Sequence, residues 1–447
     1  MNQTPAYWTL RQFRTDLYDA FDRRADALLD LVDALLTAGP VSSPVQLSLA
    51  PTHRRGWGSL YAALSKGRID CEALLTRVAH LPLADGEEIY AVDSSAWARC
   101  DAETSPERGF YYHPSRHSAG QPIVAGWSYQ WISQLSFNRD SWTAPMEVAR
   151  VRPSEDMHQV AVAQIRALRR RQGPSASIPL FVFDAGYDPV PLTLALAEEP
   201  VAILVRMRND RCFFGEPAPQ PTVGRGRGAP RRHGAKFDCK NPATWPPPSD
   251  EYQTEDSQYG TVRVRAWVRL HGRPKRQVGR GHGRQPLVSG TVVLVEVSRL
   301  PGRTRKPQVL WLWWAGPGTP DLAVLWRAYV RRFDLEHTFR FFKQSLHWIT
   351  PRVRTPEQAD RWTLLVLAAY TQVRLARSLV ADQRLPWERP LAAGTLTPCR
   401  VLRAFPALLQ ALGTLASAPK PAGRSPGRPK GRLSGPAPRC PAIKKSA

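Results

Sequence analysis

The chain of 447 residues is short of acid, short of lysine and without paired cysteines. Asp and Glu number 38 against 62 Lys and Arg, which leaves a formal net charge of +24. Such a balance makes a polyanion, nucleic acid above all, the first partner to consider. Lysine supplies 10 of the basic residues and arginine 52, and because Arg, Ala, Gly and Pro share GC-rich codons, part of that excess reflects composition alone. The six cysteines are scattered with no C-x-x-C pair, which speaks against a zinc module or a disulfide framework and fits reduced thiols. No apolar run approaches the roughly 18 residues of a membrane span. The start, M-N-Q-T-P-A-Y-W, lacks the basic and apolar blocks of a secretory signal. A cytoplasmic protein without membrane contact is therefore expected. Hydrophobic residues at 43% exclude a wholly disordered chain.

The charge is concentrated. Residues 208–307 carry a net of +12 and residues 418–447 a net of +8, so the other 317 residues share only +4. Codon drift predicts a more even spread, whereas two local polyanion-binding surfaces predict this one. A solvated linker would also account for the tail.

Residues 7–36 read as an amphipathic helix with Leu17, Phe21, Leu28, Leu31, Leu35 and Leu36 on its apolar positions, and a second short helix follows at 58–65. Residues 1–85 thus form a helical N-terminal domain. A short β-type run at 89–95 is broken by Asp93, and 123–133 suits a further strand. Residues 154–172 are spaced for a helix. The apolar run I-P-L-F-V-F from residue 178 ends in Asp184 and reads as a strand buried on both faces. A helix at 189–198 and a strand at 201–206 complete an interleaved α/β pattern. Residues 208–308 interrupt it with Pro- and Gly-rich stretches around two strands, at 261–270 and 291–297. On the first, Val262, Val264, Ala266 and Val268 take one face and Arg263, Arg265, Trp267 and Arg269 the other. A last strand at 309–314 precedes helices at 321–347 and 357–381. From 383 onward Pro and basic residues dominate, and the last 30 residues are expected to be disordered.

On a continuous helix, Tyr329, Arg332, Glu336 and Lys343 project at about 0°, −60°, −20° and −40°, within one wedge about 60° wide. Leu335, Phe339, Phe342 and Leu346 form a separate apolar stripe. A carboxylate flanked by two cations and a phenol suits a metal ion held near phosphates. An ordinary ion-paired solvent face would show the same spacing. Asp93 and Asp184 add two acids on buried strands, where an unpaired carboxylate is costly. Together with Glu336 they suit a hard divalent cation with oxygen ligands, although Asp alone is also common in turns and caps. Asp101, Asp140 and Asp188 compete with this assignment. His113 and His117 lie four apart in a loop, without further ligands for a metal site.

Asp93, Asp184 and Glu336, in this order, resemble the DDE catalytic triad of bacterial insertion-sequence transposases. The spacing Tyr329-x2-Arg332-x3-Glu336-x6-Lys343 is similar to the Y-x2-R-x3-E-x6-K signature of the subgroup with a β-rich insertion. The segment D-A-G-Y-D from Asp184 and V-D-S-S from Val92 look like the motifs around that family's two aspartates. The resemblance covers residues 85–380. It implies an α/β fold with an RNase H-like mixed sheet flanked by helices, in two parts (86–207 and 309–382) around the basic β-rich insertion 208–308. The Pro-rich basic region 383–447 and its disordered tail would follow. It also implies Mg²⁺, with Mn²⁺ as substitute, held by Asp93, Asp184 and Glu336, and cleavage of DNA followed by strand transfer. Tyr329, Arg332 and Lys343 would grip DNA phosphates. The partners would be the terminal inverted repeats and target DNA, with a homodimer in the synaptic complex.

Relatives of this type stack a flipped base on a tryptophan, which makes Trp267 and Trp245 candidates, while packing of Trp267 in a small β core is the plainer reading. Arg263, Arg265 and Arg269 are expected to contact DNA beside it. The tail segment P-G-R-P-K-G-R from Pro426 is similar to an AT-hook, placing Arg428, Lys430 and Arg432 in a minor groove, with a leading Pro where Arg is usual. Two other readings fit the same sequence: a related nuclease that cuts without joining, and a domesticated relative that only binds DNA.

Overall fold

A computed structural model describes residues 4–39, 43–83, 87–113, 122–217, 231–272, 287–301, 308–392, 394–421, 431 and 435–444. In chain order the elements are α1 (Pro5–Asp19), α2 (Ala25–Thr37), α3 (Pro44–Leu47), α4 (Trp57–Lys66), α5 (Cys71–Ala79), β1 (Ile89–Ala98), β2 (Gly109–Tyr112), β3 (Ile123–Gln134), β4 (Ala144–Val151), α6 (Met157–Gln172), β5 (Leu180–Phe183), α7 (Pro189–Ala195) and β6 (Ala202–Met207). They continue with β7 (Cys212–Phe214), β8 (Lys236–Asp238), β9 (Asp250–Asp256), β10 (Gly260–Gly272), β11 (Ser289–Val297), β12 (Gln308–Ala315), α8 (Leu322–Arg331), α9 (Asp334–Gln344), α10 (Pro356–Leu375) and α11 (Pro398–Leu412). The chain divides into two compact units. One holds Met1–Asp85, Ser94–Gly173 and Asp334–Ala447; the other holds Gly86–Asp93 and Pro174–Phe333. The boundary falls inside β1, so the units do not follow the five segments expected along the sequence.

The first unit is built on α10. Thr355 caps it in a reciprocal pair with Gln358, and Pro356 sits where a missing N–H costs nothing. From Trp362 to Arg374 every residue is buried, as expected of a helix that is apolar nearly all round. It packs on α1, α2, α4, α11 and β4, while β2, β3 and β4 form an antiparallel sheet with α6 against it. Two expectations fail here. The single helix over 7–36 is two, broken at residues 20–24, where Arg24 caps α2 in the left-handed conformation. The Pro-rich C-terminal region contains α11, whose Val401, Ala404, Phe405, Leu408 and Leu409 are buried. Part of the tail is docked rather than disordered: the Cys440 N–H donates to the Glu103 carbonyl and the Ile443 N–H to that of Arg108, each at 2.7 Å.

The second unit is a mixed sheet. The first part of β1 pairs in parallel with β5, and β5 in parallel with β6. Beyond β6 the sheet turns antiparallel through β12, β11 and β10, and β10 pairs with β9 and, at its end, β7, which pairs with β8. All four residues of β5 are buried, as the apolar run requires. The insertion's strands therefore extend the sheet of the core and are not a separate body. In β10 the expected alternation holds at Val262, Val264 and Ala266, then fails. The pairing shifts between Trp267 and Leu270, Arg269 adopts a positive φ of 56°, and Val268 turns outward. A bulge of this kind inserts one residue and reverses the faces beyond it. No helix among the described residues is long and apolar enough to cross a membrane.

One buried cluster closes the first unit. The Arg14 guanidinium donates to both carboxylate oxygens of Asp33 (2.7 and 3.0 Å), to the Gln372 side-chain oxygen (2.7 Å) and to the Gly413 carbonyl (3.3 Å). Burial pushes the Asp33 carboxyl up despite this pairing. Arg14→Ala would strand a buried carboxylate, so urea denaturation should show a loss of about 3–5 kcal/mol; an unchanged midpoint would mean that the cluster is not what holds α1, α2, α10 and the end of α11.

Candidate active site

The parallel strands of the second unit set the site. Val92 pairs with Phe183, and Phe183 with Val205. The residues that follow are Asp93 in β1, Asp184 just past β5 and Arg206 in β6, a row of two carboxylates and one cation set by strands spaced about 4.8 Å apart. Crevices beyond the carboxyl ends of parallel strands are where α/β sheets bind ligands. Asp93 was expected to interrupt β1; the strand instead runs through it to Ala98.

Helix α8 brings two further groups to this row. Tyr329 Oη donates to Asp184 Oδ1 at 3.2 Å, and the same oxygen lies 3.5 Å from Arg206 Nη1. Arg332, at the C-terminal cap of α8, donates from Nη1 to Asp93 Oδ2 at 2.9 Å, and its Nη2 lies 3.8 Å from Asp184 Oδ2. The Arg332 side chain is 7% exposed, against 22% for Asp93 and 38% for Asp184. Burial alone would raise the Asp184 carboxyl. Arg332, the Ala185 N–H, Arg206 and the Tyr329 hydroxyl outweigh it and hold the group below its ordinary value. Burial pushes the phenols of Tyr187 and Tyr329 up, so both stay neutral. Arg206 and Tyr187 were not singled out from the sequence. The signal for Arg206 was its place directly after the apolar run 201–205, as Asp184 directly follows the apolar run of β5.

The helix expected over 321–347 is broken. Arg332 and Phe333 form a turn between α8 and α9, so the common wedge of Tyr329, Arg332, Glu336 and Lys343 does not exist as one helix face. Tyr329 and Arg332 belong to the second unit, and Glu336 and Lys343 to the first. Glu336 is an exposed residue in the first turn of α9, and Lys343 stands in its last turn. The expected apolar stripe is present, with Leu335, Phe339, Phe342 and Leu346 all buried. Among the described residues, no three of His, Cys, Asp and Glu form a group that could hold a metal ion. The pair Asp93 and Asp184 by itself offers the oxygen donors that Mg²⁺ prefers.

Trp267 is 2% exposed and packs with Phe237, Trp245 and Trp311, at ring separations of 5.0, 5.7 and 6.1 Å. Its indole N–H donates to the Pro246 carbonyl at 2.8 Å. As placed here it is core, not an open stacking platform. Arg265 lies over the rings of Trp245 and Trp267 and pairs with Glu296 at 2.8 Å, and Arg263 pairs with Glu251 at 3.1 Å. Arg269 is exposed at the bulge. Arg428, Lys430 and Arg432 lie outside the described residues, as does His117. The competing acids have structural partners: Asp188 caps α7, Asp101 pairs with Arg99 and Asp140 with Arg377.

The profile of a family described as DDE superfamily endonuclease matches residues 16–273, more than half of the chain. The chain belongs to that family. No curated protein matches it. The match includes Asp93 and Asp184 and ends before Glu336. A DDE superfamily endonuclease is a nuclease-type enzyme, and the mixed α/β sheet with flanking helices is consistent with the RNase H-like fold of such enzymes.

The electrostatics of the row can be checked by pH. Because the Asp184 pKa is lower in the folded protein, its stabilising charge is fully present above the ordinary value of 3.8 and is lost as pH falls through the folded value. Thermal melts into the acid range should show a shallower loss for Asp184→Asn than for the wild type. The difference should reach at most about 1 kcal/mol, because solvent screens a carboxylate this exposed. Superimposable acid limbs would contradict the shift.

Proposed function

We propose that this DDE superfamily endonuclease is a transposase of the Y-x2-R-x3-E-x6-K type, which cuts DNA at insertion-sequence ends and joins those ends to target DNA. The observation that carries the reading is the row Asp93–Asp184–Arg206 with Arg332 and Tyr329 turned onto it. Two adjacent carboxylates supply oxygen ligands for Mg²⁺ or Mn²⁺, and the sequence pattern adds Glu336 as the third. When bound, such ions activate the attacking oxygen and neutralise charge at the phosphate.

The protein groups then have separable tasks. Asp93 and Asp184 hold their oxygens in fixed orientation, because β1 and β5 are paired up to the preceding residue. Arg206, half exposed beside Asp184, presents a cation to an incoming phosphate. Tyr329 keeps its proton and fixes one oxygen of Asp184. Lys343 and Arg332 are assigned to backbone phosphates on the sequence pattern. The same pattern implies terminal inverted repeats and target DNA as partners and a homodimer holding two ends together. The basic insertion and tail would grip the flanking duplex through charge, with Arg269 and the tail segment around Arg428, Lys430 and Arg432 as contacts.

A cleavage and joining assay on the element's own ends tests this. Asp93→Asn, Asp184→Asn and Glu336→Gln should each lower Mg²⁺-dependent cleavage by roughly 100-fold or more while DNA binding persists. Full cleavage by either aspartate variant would sink the site, and full cleavage by Glu336→Gln would remove the third carboxylate. Cutting without joining by the wild type would leave an endonuclease. Deleting residues 418–447 should weaken DNA binding and flatten its dependence on salt, as measured by titration at several salt concentrations.

A further inference from the structure

The two aspartates share a counter-ion supplied by a side chain of the protein itself. Carboxylates side by side on neighbouring chain segments repel, and in a partly buried site neither stays ionised cheaply without a cation. Arg332 provides it in an unusual way. Its guanidinium is divided between the pair, one nitrogen 2.9 Å from Asp93 Oδ2 and the other 3.8 Å from Asp184 Oδ2. The other oxygen of Asp184, Oδ1, faces Tyr329 and Arg206. Arg332 thus neutralises one oxygen of each acid, the two groups that would hold a divalent cation.

Resting on the proposed function, we infer that Arg332 is the resident counter-ion of the Asp93–Asp184 pair, displaced by a divalent cation and thereby released to a DNA phosphate. Arg332 is then a positioning residue with two alternating partners. A divalent cation on the same carboxylates would face the Arg332 guanidinium at close range, and the repulsion of like charges then favours displacement of Arg332. The expelled side chain is long, and its residue lies in the turn that follows α8, not in a helix interior. A phosphate is the partner that suits a planar guanidinium fork. Coupling of this kind is reciprocal. If metal frees Arg332 for phosphate, then phosphate that draws Arg332 away tightens metal binding by the same factor. The protein alone would keep a weakened metal site, and DNA would complete it.

The test is a Mn²⁺ titration of the full chain by calorimetry, without DNA and with a saturating duplex, the duplex-only titration being subtracted. Without DNA, Arg332→Ala should bind Mn²⁺ roughly tenfold tighter than the wild type, and Arg332→Lys should fall between them. The duplex should tighten Mn²⁺ binding to the wild type by a similar factor and leave Arg332→Ala nearly unchanged. Equal or weaker Mn²⁺ binding by a folded Arg332→Ala would overturn the inference. So would a wild type whose Mn²⁺ affinity ignores the duplex, a result that needs no variant to fold. Asp93→Asn and Asp184→Asn separate this from the reading beneath it. If they bind Mn²⁺ as the wild type does, the metal site itself is wrong; if they lose it while Arg332→Ala gains nothing, only the counter-ion role falls.

Discussion

The candidate site of this protein depends on the pairing register of β1, β5 and β6. Because side chains alternate, the rows that bury Val92, Phe183 and Val205 also decide which way the next residues face. A slip of one residue on β5 would turn Asp184 inward and leave Asp93 facing an apolar neighbour. The apolar core of the sheet therefore holds the carboxylate pair at no separate cost. What the strands cannot supply is the charge that makes the pair tolerable, and Arg332 and Arg206 bring it from α8 and from the neighbouring strand.

The regional charge has a different meaning once partners are visible. The insertion carries a net of +12, yet several of its arginines are engaged within the fold. Arg265 covers two tryptophan rings and pairs with Glu296, and Arg263 pairs with Glu251 on the next strand. These pairs bring acid and base together across a strand face, and Arg265 covers the small aromatic core around Trp267. Arg269, turned outward by the bulge, keeps an exposed cation on the same strand.

In the first unit, segments from the two ends of the sequence share one core. Arg14 joins α1 to α2 through Asp33, to α10 through Gln372 and to the end of α11 through Gly413. Arg54 and Arg55 add bonds to Asp30 and to the carbonyls of Ala416 and Ser417. The chain that leads into the basic tail is thus fastened to α2, and Cys440 and Ile443 are fastened again beside Glu103 and Arg108. A pattern that reads as Pro-rich linker is partly a structural strap.

The sequence by itself determined the kinds of element and offered Asp93, Asp184 and Glu336 as candidate acids. The apolar run before Asp184, the stripe Leu335–Phe339–Phe342–Leu346 and the alternation of Val262, Val264 and Ala266 were legible because each is a local period set by strand or helix geometry. The DDE superfamily was legible too, from short motifs ordered along the chain. Tertiary structure alone decided the rest. The break at Arg332 and Phe333, the bulge after Trp267 and the docking of α11 depend on partners far away in sequence, and no local period encodes them. Arg206 became a member of the site only through strand pairing. The division of Arg332 between two aspartates likewise required a register that places residues 93 and 184 side by side, because the energy of that contact belongs to charges brought together by folding and to neither residue alone.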